Sequence, residues 1–450
     1  LNTSKNRNLS DKLEHLGLKI PTILLPKKGT DLSTWSVVAC DQYTSDHEYW
    51  ERVEKCIGTT PSTLRLTLPE IYLESEDVET RIKNIHASMK SYLESGTLEQ
   101  YGETVVYIER YTEASGLRQG LLFAMDLERY DYARDSKTLI RATEGTIVER
   151  IPPRLRVRKE AFIELPHIMI LINDPGKRLI EGAAASLKNK QLIYKTDLME
   201  NGGSLSGWGI SDPASIENIA DLLIGLLDDA KKTQHTDTPL FFAMGDGNHS
   251  LATAKAHWVA TKQALIDSGI PEDEVMSHPA RYALAEIVNI HSPGLRFEPI
   301  NRAIFSSDIT TTCELYKKHP LVASAVEIDE TKLKKVLSSP DGQTRAGLWD
   351  GSKYFILEFI NSESKLPPAF IDEIFASLSK DNADVNVDFI HGWEDTKKLS
   401  NENALGCFVP VIARERLFQW VSQHGPLPRK AFSMGDAEEK KYYMECRKIK

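Results

Sequence analysis

The stretch Pro239-Leu240-Phe241-Phe242-Ala243-Met244-Gly245-Asp246-Gly247-Asn248-His249-Ser250, running on into Leu251-Ala252-Thr253-Ala254-Lys255-Ala256-His257-Trp258, decides how this chain is read. Its apolar opening reads as a buried strand, Gly245-Asp246-Gly247 as a turn, and the alanine-rich continuation as a helix. Glycine lets the backbone bend sharply and lie close to a ligand. A helix start leaves several N–H groups without internal partners, and its dipole favours anions. Together these predict a cradle for a phosphate or carboxylate, with Gly245, Gly247, Asn248 and Ser250 as ligand contacts. The competing reading is a plain helix start in which Asn248 or Ser250 is the N-cap. The spacing is not that of a P-loop, and the Gly-x-Gly-x-x-Gly dinucleotide fingerprint is not completed.

Composition narrows the classes. The chain has 450 residues, 41% hydrophobic and 27% charged, which is ordinary for a globular protein of more than one domain. With 55 Lys and Arg against 65 Asp and Glu, the formal net charge is −10. That sign argues against a dedicated binder of nucleic acid or of anionic membranes. No apolar run approaches the roughly 20 residues that span a bilayer. The polar first residues lack the apolar core of a signal peptide, and the start without Met reads as a trimmed end. Cys40, Cys56, Cys313, Cys407 and Cys446 show no zinc or redox spacing. The expectation is a cytoplasmic protein with reduced thiols, free to form homo-oligomers.

Residues 1–20 read as a polar arm with a short amphipathic helix, 21–304 as the main domain carrying the glycine turn, and 305–450 as a C-terminal domain. The tail from 426 is expected to fold back on the main domain. Helices are predicted at 76–95 and 215–232, and an antiparallel strand pair at 105–110 and 121–126. Residues 141–159 read as a charge-dense, turn-rich tract. Gly202-Gly203-Ser204 and Gly207-Trp208-Gly209 read as breaks. Strands and helices alternate irregularly, which predicts an α/β to α+β architecture of mixed β-sheets with flanking helices.

Three further segments carry candidate chemistry. In Val38-Ala39-Cys40-Asp41-Gln42-Tyr43-Thr44-Ser45 a short strand delivers an acid, Asp41, and hydroxyl groups, Tyr43 among them, to a turn and helix start; the competing reading is an ordinary N-cap with a buried Tyr. Cys40 has no identifiable partner base and is read as an inert thiol ahead of a nucleophile. Arg141, Arg150, Arg154, Arg156, Arg158 and Lys159, stiffened by Pro152-Pro153, suit bidentate anion contacts, or simply pair with Glu144, Glu149 and Glu160. Pro428-Arg429-Lys430-Ala431-Phe432-Ser433 is either an extended segment that brings Lys430 over a pocket or a surface tail. His167, His257, His278, His291 and His391 form no zinc pattern.

Five pieces together resemble one family: Val38-Ala39-Cys40-Asp41-Gln42-Tyr43-Thr44, Arg141-Ala142-Thr143-Glu144-Gly145-Thr146, Glu164-Leu165-Pro166-His167-Ile168-Met169, Gly245-Asp246-Gly247-Asn248-His249-Ser250, and Leu427-Pro428-Arg429-Lys430-Ala431-Phe432-Ser433-Met434-Gly435. The family is that of uncharacterised proteins grouped as domain of unknown function 1015, and the resemblance runs over nearly the whole chain. Many members carry Asp-Gly-His-His-Arg at the central turn. Here Asn248 replaces the first His and Ser250 the Arg. The commoner version is similar to the helix-opening motif of the ParB and sulfiredoxin-like group, which includes nucleotide-using enzymes and a free-serine kinase. That similarity implies a ParB-like strand–turn–helix and a phosphate role that Arg141, Arg154 or Lys430 takes over from the missing Arg.

The expectation is therefore an enzyme acting on a small phosphorylated molecule, a nucleotide-dependent phosphotransferase or a phosphohydrolase. Asp246 is the candidate Mg²⁺ ligand or nucleophile activator, because hard carboxylate oxygens suit that ion. His249 is the candidate proton carrier or charge stabiliser, and Asp41 the second acid. The alternatives are a non-catalytic ligand sensor or partner-binding protein using the same pocket and, least favoured by the charge, a nucleic-acid binder.

Overall fold

Alternate residues of two neighbouring strands, Val105–Thr112 and Gly116–Asp126, feed two different cores. Val105, Tyr107, Leu121, Phe123 and Met125 pack with Ile170, Phe242, Met244 and Leu251. Val106, Ile108 and Leu122 pack with Ile23, Trp35, Val38, Tyr442 and Met444. Successive side chains on a strand face opposite ways, so this sheet is covered on both sides.

The computed structural model describes residues 8–146, 148–339, 344–362, 365–381, 384–400, 404–428 and 430–450. The chain divides into two units. The first holds Leu1–Leu295, Phe418–Pro426 and Asp436–Lys450; the second holds Arg296–Leu417 and Leu427–Gly435.

Among the described residues, the first unit is built on a ten-stranded mixed sheet. Its order is Gln191–Leu198, Gly203–Ile210, Val105–Thr112, Gly116–Asp126, Tyr282–Asn289, Met169–Ile172, Phe242–Asp246, Ile140–Arg141 and Tyr130–Asp131, with Leu18–Lys19 added on Gly116–Asp126. Helix Pro213–Gln234 covers one face, burying Ile216, Ile219, Ala220, Leu223 and Leu227 at helical spacing. Helix Val78–Glu94 contributes Ile82, Ile85 and Met89 to the other core. A four-stranded sheet pairs Leu98–Glu103, Thr22–Pro26, Cys446–Lys448 and Ile163–Glu164. The end of the chain is thus a strand between early ones. The second unit is a seven-stranded antiparallel sheet around Phe297–Phe305, with Ile304, Tyr316, Leu348, Leu357, Phe370 and Ile374 in its core. Among the described residues no helix is long and apolar enough to cross a membrane.

The mixed-sheet architecture is as expected, and several local expectations are corrected. The short amphipathic helix expected near the N-terminus is Leu9–Leu16, but it is no part of a free arm: it buries Leu13 and Leu16 in the first core. Lys12 there is bound by Glu217 and Asp221 at 2.9 and 2.7 Å. The second unit starts at Arg296, ahead of 305, because strand Phe297–Phe305 belongs to its sheet. The glycine-rich breaks at 202–209 are strand Gly203–Ile210, paired with Gln191–Leu198. The glycines make room there, since a Cβ on Gly207 would meet the Tyr194 ring at 2.1 Å. The tract 141–159 contains helix Ile151–Lys159, opened by Pro152 and Pro153 in its first turn, where a missing N–H costs nothing.

Candidate active site

Strand Phe242–Asp246 lies between Met169–Ile172, antiparallel, and Ile140–Arg141, parallel. Its register against Met169–Ile172 slips between Met244 and Asp246, the kind of bulge that re-aims a side chain. The Thr143 hydroxyl donates to the Met244 carbonyl at 2.6 Å and ties down the last regular residue. Gly247 follows with φ +78°, and a Cβ there would lie 3.1 Å from Ile168 Cα. Glycine is required on both counts. Helix Asn248–Asp267 begins at once, and no side chain caps it. The expected alternative, an N-cap by Asn248 or Ser250, is thereby corrected: the cap position is Gly247. With Leu251, Ala254 and Trp258 held in the core, the first-turn N–H groups of Asn248, His249 and Ser250 lack intrahelical acceptors. Asn248 Oδ1 is enclosed without a hydrogen-bond partner among the described residues. His249 is half-buried, and its carbonyl accepts from the Thr253 hydroxyl at 2.7 Å.

The second acid arrives from the other end of the chain. Val38 bridges to Tyr442. The Ala39 N–H donates to the Lys441 carbonyl at 2.9 Å, and the Tyr443 N–H to the Val37 carbonyl at 2.8 Å. Asp41 follows this clamped piece. Its Oδ1 accepts from Gln42 Nε2 at 3.0 Å, and its Oδ2 stands 3.9 Å from His167 Nε2. His167 Nδ1 in turn meets the Tyr443 hydroxyl at 2.9 Å. Lys440 Nζ lies 3.1 Å from Asp246 Oδ2, and its charge is also felt by Asp41. One lysine thereby links the two acids that sequence analysis singled out separately.

The electrostatics separate the carboxylates. Burial opposes ionisation of Asp41, but His167, Gln42 and Lys440 outweigh it and hold the group below the ordinary carboxylate range. Glu70, whose N–H donates to the Cys40 carbonyl at 2.7 Å, is pushed up by burial and by the charge of Asp41, although Arg154 binds it. Cys40 is driven far up by burial and by Asp41, so its thiolate is suppressed and a nucleophilic role is set aside.

Asp246 does not suit the expected metal. Its Oδ1 accepts the Gly247 N–H at 2.9 Å and its Oδ2 holds Lys440. Among the described residues no group of three or more His, Cys, Asp or Glu side chains is arranged to hold a metal ion.

The remaining expectations divide. Arg154 reaches the cluster through Glu70, its Nε at 2.7 Å. Tyr43, two residues after Asp41, has φ 50° and stacks on Tyr49 at 3.6 Å; its phenol is raised by burial and by Glu438, and these neighbours lie outside the cluster. Arg141 is a correction: it is buried, and its Nε and Nη2 donate to the carbonyls of Thr138 and Thr238 at 2.7 and 2.6 Å. The guanidinium braces a loop instead of offering a fork to an anion. Elsewhere in the basic tract, Arg156 pairs with Glu79 and Arg158 with Glu164. Lys430 belongs to the second unit, where its Nζ lies over the Phe389 ring at 4.8 Å. Arg429 lies outside the described residues. His167, Glu70, Lys440 and Tyr443 were not among the expected site residues. His167 lies in the family motif Glu164–Met169, and nothing local in the sequence marks the other three.

A family model described as "Protein of unknown function (DUF1015)" matches residues 24–374. The chain belongs to that family. Lys440 and Tyr443 lie beyond the residues matched. No curated protein matches this DUF1015 chain. Solved structures give distant likenesses. A conserved hypothetical protein from Pyrococcus furiosus is 11% identical, over 74% of this chain and 95% of that one, with a TM-score of 0.35. A free serine kinase in complex with AMP is 10% identical, over 72% and 90%, with a TM-score of 0.37. SbnI with a C-terminal truncation from Staphylococcus aureus is 8% identical, over 70% and 82%, with a TM-score of 0.35. At TM-scores this low, none of the three bears on the site or its chemistry.

Proposed function

We propose that this DUF1015 protein binds a phosphorylated small molecule, a nucleotide serving as phosphoryl donor, and catalyses phosphoryl transfer. The observation that carries the reading is the meeting of Asp41, His167, Asp246 and Lys440 around chain segments that include an uncapped helix start. Phosphate oxygens suit first-turn N–H groups and a lysine as a point charge. Phosphoryl transfer asks a protein mainly for positioning and charge stabilisation. Asp41, held ionised, accepts the proton of the attacking hydroxyl. Lys440 and His249 offset charge on the phosphoryl group. Asp246 holds Lys440 in place.

An enzyme is favoured over a passive sensor by the grouping of two acids, an imidazole and a lysine, the set that proton transfer and charge stabilisation call for. Calorimetry of the whole protein with ATP, ADP and GTP, with and without Mg²⁺, tests the reading. Heat is expected with at least one nucleotide, and His249→Ala is expected to weaken it. No heat with any of the three sinks the proposal.

A further inference from the structure

The Tyr443 side chain is buried. Its hydroxyl accepts from the Cys40 N–H at 3.0 Å, so its own proton must go elsewhere. The Cys40 thiol also lies against it, but sulfur is a weak acceptor. The remaining neighbour is His167 Nδ1 at 2.9 Å, the two rings meeting edge to face at 81°. Burial and the charges nearby keep the phenol protonated, hence a donor. A nitrogen that accepts a hydrogen bond cannot carry the proton of a neutral imidazole, so the proton sits on the other one.

We propose that Tyr443 is a positioning residue that fixes His167 as the Nε2–H tautomer, so that His167 and Asp41 form a donor–acceptor pair for one hydroxyl oxygen. The His167 Nε2 to Asp41 Oδ2 separation of 3.9 Å is too long for a direct hydrogen bond. It matches an oxygen that accepts from the imidazole N–H while donating to the carboxylate. This ligand class, an alcohol or water, rests on the phosphoryl-transfer reading. In the step it implies, the hydroxyl proton passes to Asp41 and the oxygen forms a bond to the terminal phosphorus of a nucleoside polyphosphate. The bond from that phosphorus to its bridging oxygen breaks, and the shortened nucleotide leaves with the electron pair. His167 keeps its proton throughout and stabilises the attacking oxygen.

The test is nitrogen-15 NMR of histidine-labelled full-length protein at a pH where His167 is neutral. The wild type is expected to show Nε2 protonated and Nδ1 bare. Tyr443→Phe is expected to release the constraint and give both tautomers. A wild-type ring protonated at Nδ1 overturns the proposal, as does a Tyr443→Phe spectrum still purely Nε2–H. Should Tyr443→Phe fail to fold, the wild-type spectrum still decides. A second pair then gives the Tyr-independent readout: His167→Gln puts an N–H near the Nε2 position and is expected to lose clearly less ATP turnover than His167→Asn, which offers one nearer Nδ1 and is expected to lose roughly a hundredfold. Equal loss in both overturns the donor role. If the wild type turns over neither ATP nor ADP, the phosphoryl-transfer reading fails by itself, and the tautomer is judged on the spectrum alone.

Discussion

Lys440 and Lys441 are neighbours in the chain and stand in opposite surroundings. Lys441 is sealed against Glu286 at 2.7 Å, the two side chains 5% and 1% exposed. Lys440 meets Asp246 at 3.1 Å with side chains 11% and 23% exposed. In an extended segment, consecutive side chains face opposite ways, so one points into the sheet and the other toward the helix start. The surroundings differ accordingly. Glu286 also has Arg118 at 3.7 Å. Arg118 and the buried Arg110 donate to the Glu439 and Glu438 carbonyls at 3.1 and 2.9 Å. Burial and Arg118 push Arg110 down to about 10. This enclosed network holds the C-terminal segment onto the sheet. The Asp246 cluster keeps a face toward solvent and an uncapped helix start, which is what a ligand needs. On the proposed reading, completeness of enclosure, not residue type, separates the structural charges from those that meet a ligand.

The largest effect that would sharpen this contrast is Lys441→Met. It leaves Glu286 buried beside a weakened partner set, and breaking such a pair costs about 3–5 kcal/mol, read by urea denaturation. Glu286 is held below the ordinary carboxylate range, burial opposing and Lys441 and Arg118 prevailing. Its contribution is therefore present at neutral pH and lost as pH falls from the unfolded carboxylate value of about 4.3 through the lower folded one. Adding Glu286→Gln to Lys441→Met should recover part of the loss. An undiminished urea midpoint in the single variant would break the comparison.

Gly247→Ala comes next. The left-handed φ costs an L-residue about 1–2 kcal/mol, and the 3.1 Å approach to Ile168 Cα adds strain in the backbone that carries the cradle. Both stability and nucleotide affinity should fall. The smallest expected effect is Lys440→Met. Affinity for phosphate, followed by calorimetry, should drop about tenfold, the worth of a charge-assisted hydrogen bond of about 1.5 kcal/mol. Stability should fall less than in Lys441→Met, because Asp246 keeps 23% of its side chain exposed and also accepts the Gly247 N–H. If Lys440→Met destabilised the fold as much as Lys441→Met, the two lysines would belong to one structural network after all.

Much of the core was legible. Helix Pro213–Gln234 and strands Val105–Thr112 and Gly116–Asp126 follow from periodicity and flanking turns. Strand Gly203–Ile210 was hidden because its glycines look like breaks until Tyr194 is laid across them. Helix Ile151–Lys159 was hidden because Pro152-Pro153 reads as a rigid loop until the residues after it are seen to coil. At the site, Asp246 and Gly247 announce themselves by the turn they make. Arg141 carries the same local signal as Arg154, yet one faces carbonyls and the other a carboxylate. No window of sequence distinguishes them.

What this sequence determined by itself is whatever a short window encodes: the strand, the glycine bend, the helix after it, the overall acidity and the family motifs. These depend on backbone conformation, side-chain spacing and composition, which are local or additive. Only the tertiary structure decided which charges meet. Asp41, His167, Asp246, Lys440 and Tyr443 come together because the last strand, Cys446–Lys448, inserts beside Thr22–Pro26 and because Val38 bridges to Tyr442. Pairing between distant strands is set by the fit of whole faces, and a shift of one residue would exchange Lys440 for Lys441 at the site.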